Sequence, residues 1–158
     1  MMFQRIISGG QTGVDRAALD WAIARGIGHG GWCPQGRRTE DGKIPGHYAL
    51  RETHSAEYLE RTRRNVEDSD GTLILNRGPI QGGTLSTWRF LNELDKPSYR
   101  LQLETDLDDS VVLDVLAWLE RYAIATLNVA GPRESDFPGI YAQATRFLDR
   151  LLAPSPNA

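Results

Sequence analysis

Five short apolar runs alternate with stretches of helical periodicity along this 158-residue chain, and this alternation restricts the fold more than any other feature. The runs are apolar throughout, which is typical of parallel strands covered by helices on both faces. We therefore predict an α/β fold with three layers, α/β/α, around a doubly wound, mainly parallel sheet of five strands. The predicted strands cover residues 3–8, 28–32, 71–76, 98–103 and 125–130.

Five helices are predicted from the apolar spacing and from capping residues. They cover residues 14 to about 26, 56–68, 84–94, a segment that begins after Asp108 or Asp109, and 139–152, with Ser55 as the expected N-cap of the second helix. Residues 33–48 are polar and rich in Gly and Pro, which predicts a long loop and a candidate lid.

The length fits a single domain, predicted over residues 1–152, followed by a C-terminal tail at 153–158. Glycine-rich turns follow the first and the third predicted strands. Ligands of such sheets bind beyond the carboxyl ends of the strands, at the point where the strand order reverses. This placement favours the strand order 2-1-3-4-5, in which the two turns are neighbours.

Charge and cysteine content exclude several classes of protein. The chain carries 18 Lys and Arg against 21 Asp and Glu, a net charge of -3, which argues against a nucleic-acid partner. Cys33 is the single cysteine, so neither an intrachain disulfide nor a cysteine-rich zinc site is expected. The chain shows no membrane-spanning run and no signal peptide, and we expect a cytoplasmic protein without a membrane partner.

The first predicted strand runs into a turn formed by Gly9, Gly10, Gln11, Thr12 and Gly13. Glycine allows the backbone to approach a ligand closely, and a helix start offers unpaired N–H groups to an anion. The turn is therefore predicted to hold the phosphate of a small ligand. A tight strand-to-helix turn without a ligand is the alternative explanation.

Two common phosphate motifs do not match this turn. Its spacing is G-G-x-x-G, which differs from the dinucleotide fingerprint, and Val14 and Asp15 stand where a P-loop has Lys followed by Ser or Thr. We interpret Asp15 as a carboxylate that caps the following helix, since the helix dipole favours negative charge there.

A second glycine turn, at residues 78–84, also joins a strand to a helix, and a third loop follows the last strand. Together the three segments predict one composite anion site. The candidate binding residues beyond the first turn are Gly82, Gly83 and Thr84 in the second turn, Arg133, Glu134 and Ser135 in the third loop, and Arg37 in the candidate lid. No metal ligands are predicted, because His47 and His54 lack a partner at ligand spacing.

Several long segments together resemble the molybdenum cofactor carrier family, part of a wider Rossmann-like, lysine-decarboxylase-like superfamily of nucleotide-binding proteins. They are ISGGQTGVDRAALD, GGWCPQGRRTEDG, RTRRNVEDSDGTLIL, GPIQGGT and NVAGPRES, which begin at residues 7, 30, 61, 78 and 128. The resemblance implies a Rossmann-like fold and a homo-oligomer, a dimer or a tetramer. It also implies binding of the molybdenum cofactor (molybdopterin), with a molybdoenzyme or a cofactor-synthesis protein as partner.

Some proteins of that superfamily are phosphoribohydrolases with the motif P-G-G-x-G-T-x-x-E, whose glutamate is catalytic. Here Thr84 is followed by Leu85, Ser86, Thr87 and Trp88, with no carboxylate at that place. We therefore expect a binding or carrier protein without catalytic residues. A nucleotide-processing enzyme that uses a lid carboxylate such as Glu40, and a sensor of nucleotide ligands, are the alternatives.

Overall fold

The computed structural model describes residues 3–105 and 107–152, so the predicted tail at 153–158 lies outside it. Within these residues the predicted strands and helices are present, together with four shorter strands. The order is β1 (Arg5–Ile7), α1 (Val14–Ala24), β2 (Gly28–Gly30), β3 (Trp32–Cys33), β4 (Arg38–Thr39), β5 (Gly42–Lys43), β6 (Arg51–Glu52), α2 (Tyr58–Glu67), β7 (Gly71–Asn76), α3 (Gly82–Glu93), β8 (Ser98–Gln102), α4 (Asp109–Arg121), β9 (Thr126–Ala130) and α5 (Ile140–Leu152).

The main sheet has the order β2-β1-β9-β7-β8, and each of these pairs is parallel. This confirms the α/β fold with a five-stranded parallel sheet, but the predicted strand order 2-1-3-4-5 is wrong. The last strand, β9, lies between the first and the third. Its Leu127, Asn128 and Val129 are all buried, which requires cover on both faces, whereas Arg100 of β8 is exposed at an edge of the sheet.

Helices cover both faces of this sheet, as the three-layer prediction requires. Leu73 and Leu75 of β7 join a large apolar cluster with α1, α4 and α5, while Ile74 joins Val66 of α2 and Leu91 of α3 on the other face. The alternation of side chains along one strand thus connects two apolar layers, as expected for a fully buried strand.

The helix starts agree only partly with the expected capping residues. Asp108 caps α4 by accepting hydrogen bonds from the backbone N–H groups of Ser110 (3.0 Å) and Val111 (3.3 Å). Ser55 does not cap α2, which begins at Tyr58; its hydroxyl accepts from the N–H of Glu57 (3.0 Å) and closes the turn before the helix. Helix α3 begins at Gly82, two residues before its predicted start.

The segment predicted as a long lid is packed against helix α1. It contains the antiparallel pair β4–β5, and Ile44 and Tyr48 are buried with Leu19 and Cys33. The Tyr48 hydroxyl donates to Asp20 of α1 at 2.5 Å. Because two large apolar side chains anchor this segment, it is part of the folded body.

The predicted second strand, 28–32, is divided in the structure. Residues 28–30 form β2 of the main sheet, whereas β3 pairs with β6 in a separate two-stranded sheet. The backbone of Gly31 separates the two strands with a φ of +124°.

Candidate functional site

A cavity of about 200 Å³ lies at the carboxyl ends of β7 and β9, between helices α2 and α3. All three predicted segments reach this carboxyl-end cavity: the first turn through Gln11, the second through Gly82, Gly83 and Thr84, and the third loop through Arg133. The other lining residues are Asp15, Tyr58, Leu59, Arg61, Thr62, Asn76, Gln81, Ser86, Thr87, Ala130, Gly131, Pro132, Asp136 and Phe137.

A larger cavity of about 510 Å³ lies at the opposite end of the sheet and contains none of the predicted site residues. It is lined by the last turns of α4 and the backbone before β9, with Glu120 as its charged side chain. A lining with a carboxylate and no cation does not suit an anion, so the carboxyl-end cavity is the better candidate site.

The N-terminus of helix α3 lies at one end of the carboxyl-end cavity. Gln81 precedes the helix in an extended conformation, and no side chain caps the helix start. The first N–H groups of a helix have no partner inside the helix and carry partial positive charge. Gly82, Gly83 and Thr84 therefore present backbone donors to the cavity, as the sequence predicted for this turn.

Arg61 is a buried cation beside these donors and was not among the predicted site residues. Its Nη1 donates to the carbonyl of Gly9 at 2.7 Å, and its Nε donates to the Thr62 hydroxyl at 3.3 Å. Burial lowers the pKa of Arg61, since the charged form is desolvated. In the part of the chain that the structure describes, no carboxylate lies within 4.0 Å of this guanidinium.

Asp15 is a buried carboxylate in the same wall of the cavity. Burial raises the pKa of Asp15 to about 6, against the charges of Arg61 and Arg16 and a hydrogen bond from the N–H of Gln11 (3.3 Å). Asp15 lies in the first turn of α1, where the helix dipole favours a carboxylate, but it does not cap the helix: Gly13 is the N-cap residue, and the N–H of Gln11 that donates to Asp15 precedes the helix. Asp15 is a titratable group of the site.

Two buried amide side chains of the carboxyl-end cavity each keep one polar atom without a partner. Gln11 Oε1 accepts from the N–H groups of Thr12 (3.0 Å) and Glu40 (3.1 Å), whereas its Nε2 has no partner in residues 3–105 and 107–152. Asn76 Oδ1 is likewise unpartnered there. Gln11 is 5% exposed and Asn76 is fully buried, so both amide side chains lie away from bulk solvent.

The first glycine turn uses its backbone donors within the chain. The N–H of Gly10 donates to the Ser8 hydroxyl (3.4 Å), and that of Val14 donates to the carbonyl of Pro132 (3.3 Å). A side chain at Gly13 would lie 2.5 Å from that same carbonyl, and its φ is +81°. These contacts fit the alternative explanation of a tight turn, although Gly9 also lines a small neighbouring cavity with Arg61.

Thr12 and Ser135 were predicted to bind the ligand, and here they bind a carboxylate of the chain itself. Glu40 accepts hydrogen bonds from both hydroxyls and from the N–H of Ser135 (3.2 Å). Partial burial acts to raise the pKa of Glu40, but the hydrogen bonds from Ser135 and Thr12 outweigh it and lower that pKa. The lid carboxylate of the enzyme alternative is thus engaged in a structural contact outside the cavity lining.

The remaining predicted residues divide between the cavity and the scaffold. Arg133 lines the cavity, 3.8 Å from both Glu40 and Asp136. Glu134 accepts from two N–H groups at the start of α5, at 2.6 and 3.0 Å. Arg37 donates to the carbonyls of residues 44, 45 and 48, which closes its own loop. Among these three residues, Arg133 is the one placed to contact a ligand.

The sequence contained a weak signal for Arg61. The pattern of helix 56–68 showed a thin apolar stripe and therefore little to bury, while the structure buries Arg61, Thr62 and Asn65 of that helix. A helix that buries a polar face must direct it toward polar partners, which is typical of a site wall. Asn76 and Tyr58 gave no comparable signal.

No helix in the ranges 3–105 and 107–152 is both long and apolar enough to cross a membrane. Within the same ranges, no three His, Cys, Asp or Glu side chains cluster as a metal site would require.

Comparisons with known proteins agree with this geometry. A family model described as the circularly permutated YpsA SLOG family matches residues 6–152. A crystal structure of a protein from Syntrophus aciditrophicus SB, named "putative molybdenum carrier protein", is 41% identical in sequence, with 96% of each chain covered and a TM-score of 0.93. A search of curated proteins found no match.

Proposed function

Because this chain belongs to the circularly permutated YpsA SLOG family, we propose that its carboxyl-end cavity binds a phosphate-bearing small molecule, the molybdenum cofactor, which the protein carries. The resemblance of its motifs to the molybdenum cofactor carrier family, with a Rossmann-like fold, is confirmed by the similar structure. The chemistry of the cavity supports a phosphate-bearing ligand, whereas we infer the molybdenum cofactor and the carrier role from the family resemblance and from the name of the similar protein.

The observation that carries this proposal is the buried Arg61 guanidinium, which has no carboxylate within 4.0 Å among the described residues and lines the same cavity as the start of α3. Asp15 opposes this charge only from a longer distance, so an anionic ligand in direct contact with Arg61 would recover part of its desolvation cost. Arg61, the N–H groups of residues 82–84 and the Thr84 hydroxyl together form a donor set for phosphate oxygens.

The rest of the carboxyl-end cavity suits the organic part of such a ligand. Tyr58 and Phe137 contribute aromatic surface to the lining, and Leu59, which also lines the cavity, is 57% exposed. At about 200 Å³ the cavity is smaller than the roughly 300–1,000 Å³ of typical small-molecule pockets. We infer that the phosphate lies inside and that the remainder of the cofactor extends over Tyr58 and Leu59.

The proposal is tested by titrating purified protein with molybdenum cofactor released from a molybdoenzyme, under anaerobic conditions. Saturable binding is expected, and Arg61→Met should weaken it at least about tenfold, because a hydrogen bond to a charged group contributes about 1.5–3 kcal/mol. Arg64→Met is the matched control: Arg64 lies on the same helix, outside the cavity lining, 3.9 Å from Glu60.

Two milder variants test the same site without removing a buried cation. Thr84→Ala and Arg133→Ala should each weaken binding by about 1–3 kcal/mol. Unchanged affinity in both would refute the placement of the phosphate. Tight binding of a mononucleotide, with no saturable binding of the cofactor, would refute the carrier role.

A nucleotide-processing activity is the second candidate, and Asp15 favours it. Its carboxyl group lines the cavity, and its pKa near 6 suits a general acid or base close to neutral pH. Incubation with a panel of nucleoside 5′-phosphates tests this activity. Release of a base or of phosphate that is lost in Asp15→Asn would support it, and no release from any of them would reject it.

A further inference from the structure

Gln11 and Asn76 both line the carboxyl-end cavity, and hydrogen bonds within the chain fix the orientation of each side-chain amide. For Gln11, the backbone N–H groups of Thr12 and Glu40 both donate to Oε1, so that Nε2 is the remaining polar atom. This leaves a hydrogen-bond donor for a ligand. An amide held by two backbone donors cannot rotate by half a turn without losing both bonds.

The amide of Asn76 is fixed through its nitrogen, by one residue that follows β7 and by one residue of β8. Its Nδ2 donates to the carbonyl of Gly78 (3.0 Å) and to Gln102 Oε1 (2.9 Å). Gln102 Nε2 donates in turn to that carbonyl (2.8 Å) and to Glu104 (2.9 Å), whose second oxygen accepts from the N–H of Gly78 (2.9 Å). The remaining atom is Asn76 Oδ1, a hydrogen-bond acceptor.

This polarity restricts where each part of a ligand binds. Phosphate oxygens are acceptors, and Asn76 Oδ1 would repel them, so the phosphate belongs with Arg61 and the start of α3. The group that reaches the two amides must offer a donor to Asn76 and an acceptor to Gln11. Tyr58 and Phe137 contribute aromatic surface to the same cavity, and arginines lie over both rings, Arg61 5.0 Å from the centre of the Tyr58 ring and Arg77 5.3 Å from that of Phe137. An aromatic wall suits a flat heterocycle better than a sugar.

We propose that Gln11 and Asn76 determine specificity by binding the lactam edge, an N–H beside a C=O, of a phosphorylated heterocycle. The inference rests on the proposed function, since it takes the phosphate subsite as given. Gln102 is then a positioning residue, which acts by holding the amide of Asn76 with its oxygen toward the ligand.

Two probes with the same phosphate test this inference by calorimetry. Guanosine 5′-monophosphate carries a lactam edge on its base, and ribose 5-phosphate has the same sugar and phosphate without a base. We expect wild-type protein to prefer the nucleotide by at least about tenfold, the equivalent of one good hydrogen bond. The measured quantity is the dissociation constant of ribose 5-phosphate divided by that of the nucleotide. Effects on the phosphate, which both probes share, cancel in this ratio.

Two variants should lower this ratio toward one. Gln11→Glu replaces the free donor by an acceptor of the same shape, and its control is Gln81→Glu, which adds the same charge to an exposed position of the cavity. Gln102→Met removes the acceptor of the hydrogen bond from Asn76 Nδ2 without any change of charge. It should therefore lower nucleotide affinity severalfold while the dissociation constant of ribose 5-phosphate stays the same.

The outcomes separate this inference from the proposed function. If neither probe nor the molybdenum cofactor binds wild-type protein, the proposed function fails. If both probes bind equally, or if the ratio is the same in wild type, Gln11→Glu and Gln102→Met, the phosphate site stands and the role of the two amides is overturned. Should Gln11→Glu fail to fold, Gln102→Met decides alone.

Discussion

Asp15 shows how a single buried carboxyl group couples the site to stability. Its folded pKa is about 6, against an ordinary value of 3.8. Between these two values the folded state binds more protons than the unfolded state. The free energy of unfolding therefore falls as the pH rises through this interval, and the loss is complete above about pH 6 to 7.

We predict that Asp15→Asn removes this dependence. Two pKa units correspond to about 3 kcal/mol. Between about pH 4 and pH 8, the free energy of unfolding should therefore fall by up to about 3 kcal/mol more in wild type than in the variant. Urea unfolding at several pH values measures the difference. The control is Asp114→Asn, which alters an exposed carboxylate of α4. Parallel stability curves for wild type and Asp15→Asn would contradict the prediction.

Arg61 and Asn76 mark the limit of what the sequence shows about individual site residues. The place of Gly82, Gly83 and Thr84 in the cavity lining could be predicted, because a strand, a glycine turn and a helix are consecutive in the chain. Arg61 donates to the carbonyl of Gly9 in the first glycine turn, and Asn76 is held by Gln102 of the neighbouring strand. These contacts join segments that are distant in sequence, and residue spacing carries no information about them.

The hairpin of β4 and β5 is the element that the sequence described least well. Its composition predicts an open loop, but its turn carries Glu40, which accepts from Thr12 and Ser135. Beside it, Asp41 pairs with Arg16 of α1 at 2.7 Å. The hairpin therefore connects the first glycine turn to the loop after β9, and it occupies donors that were predicted for a phosphate.

We predict that Glu40→Ala loosens this connection. The N–H and hydroxyl of Ser135 lose their acceptor, which should cost about 1 kcal/mol of unfolding free energy and accelerate hydrogen exchange of the Ser135 amide. Exchange measured by NMR tests this, with Glu120→Ala on the exposed side of α4 as the control. Equal exchange rates of the Ser135 amide in wild type and Glu40→Ala would show that the contact does not hold the loop.

At the scale of the whole molecule, the position of β9 determines how the chain folds. The class of fold could be predicted because apolar strands and amphipathic helices alternate regularly. The strand order could not, since β1, β7 and β9 are all apolar enough for a central place. The polar residues of β8, such as Arg100, were the available sign of an edge strand. Because β9 pairs with both β1 and β7, the central strand is the last to be synthesised.

This order predicts that the fragment 1–121 does not fold. Without β9, no strand pairing connects β2 and β1 to β7 and β8, and α1 loses α5 as its packing partner. Apolar residues such as Leu73 and Trp21 would then be exposed to water, which costs about 25 cal/mol of free energy for each Å² of exposed apolar area. Circular dichroism should show little cooperative unfolding for 1–121, and addition of the fragment 122–158 should restore it. A cooperative transition of 1–121 alone would mean that the first four main-sheet strands form a stable unit, and that β9 joins a sheet already built.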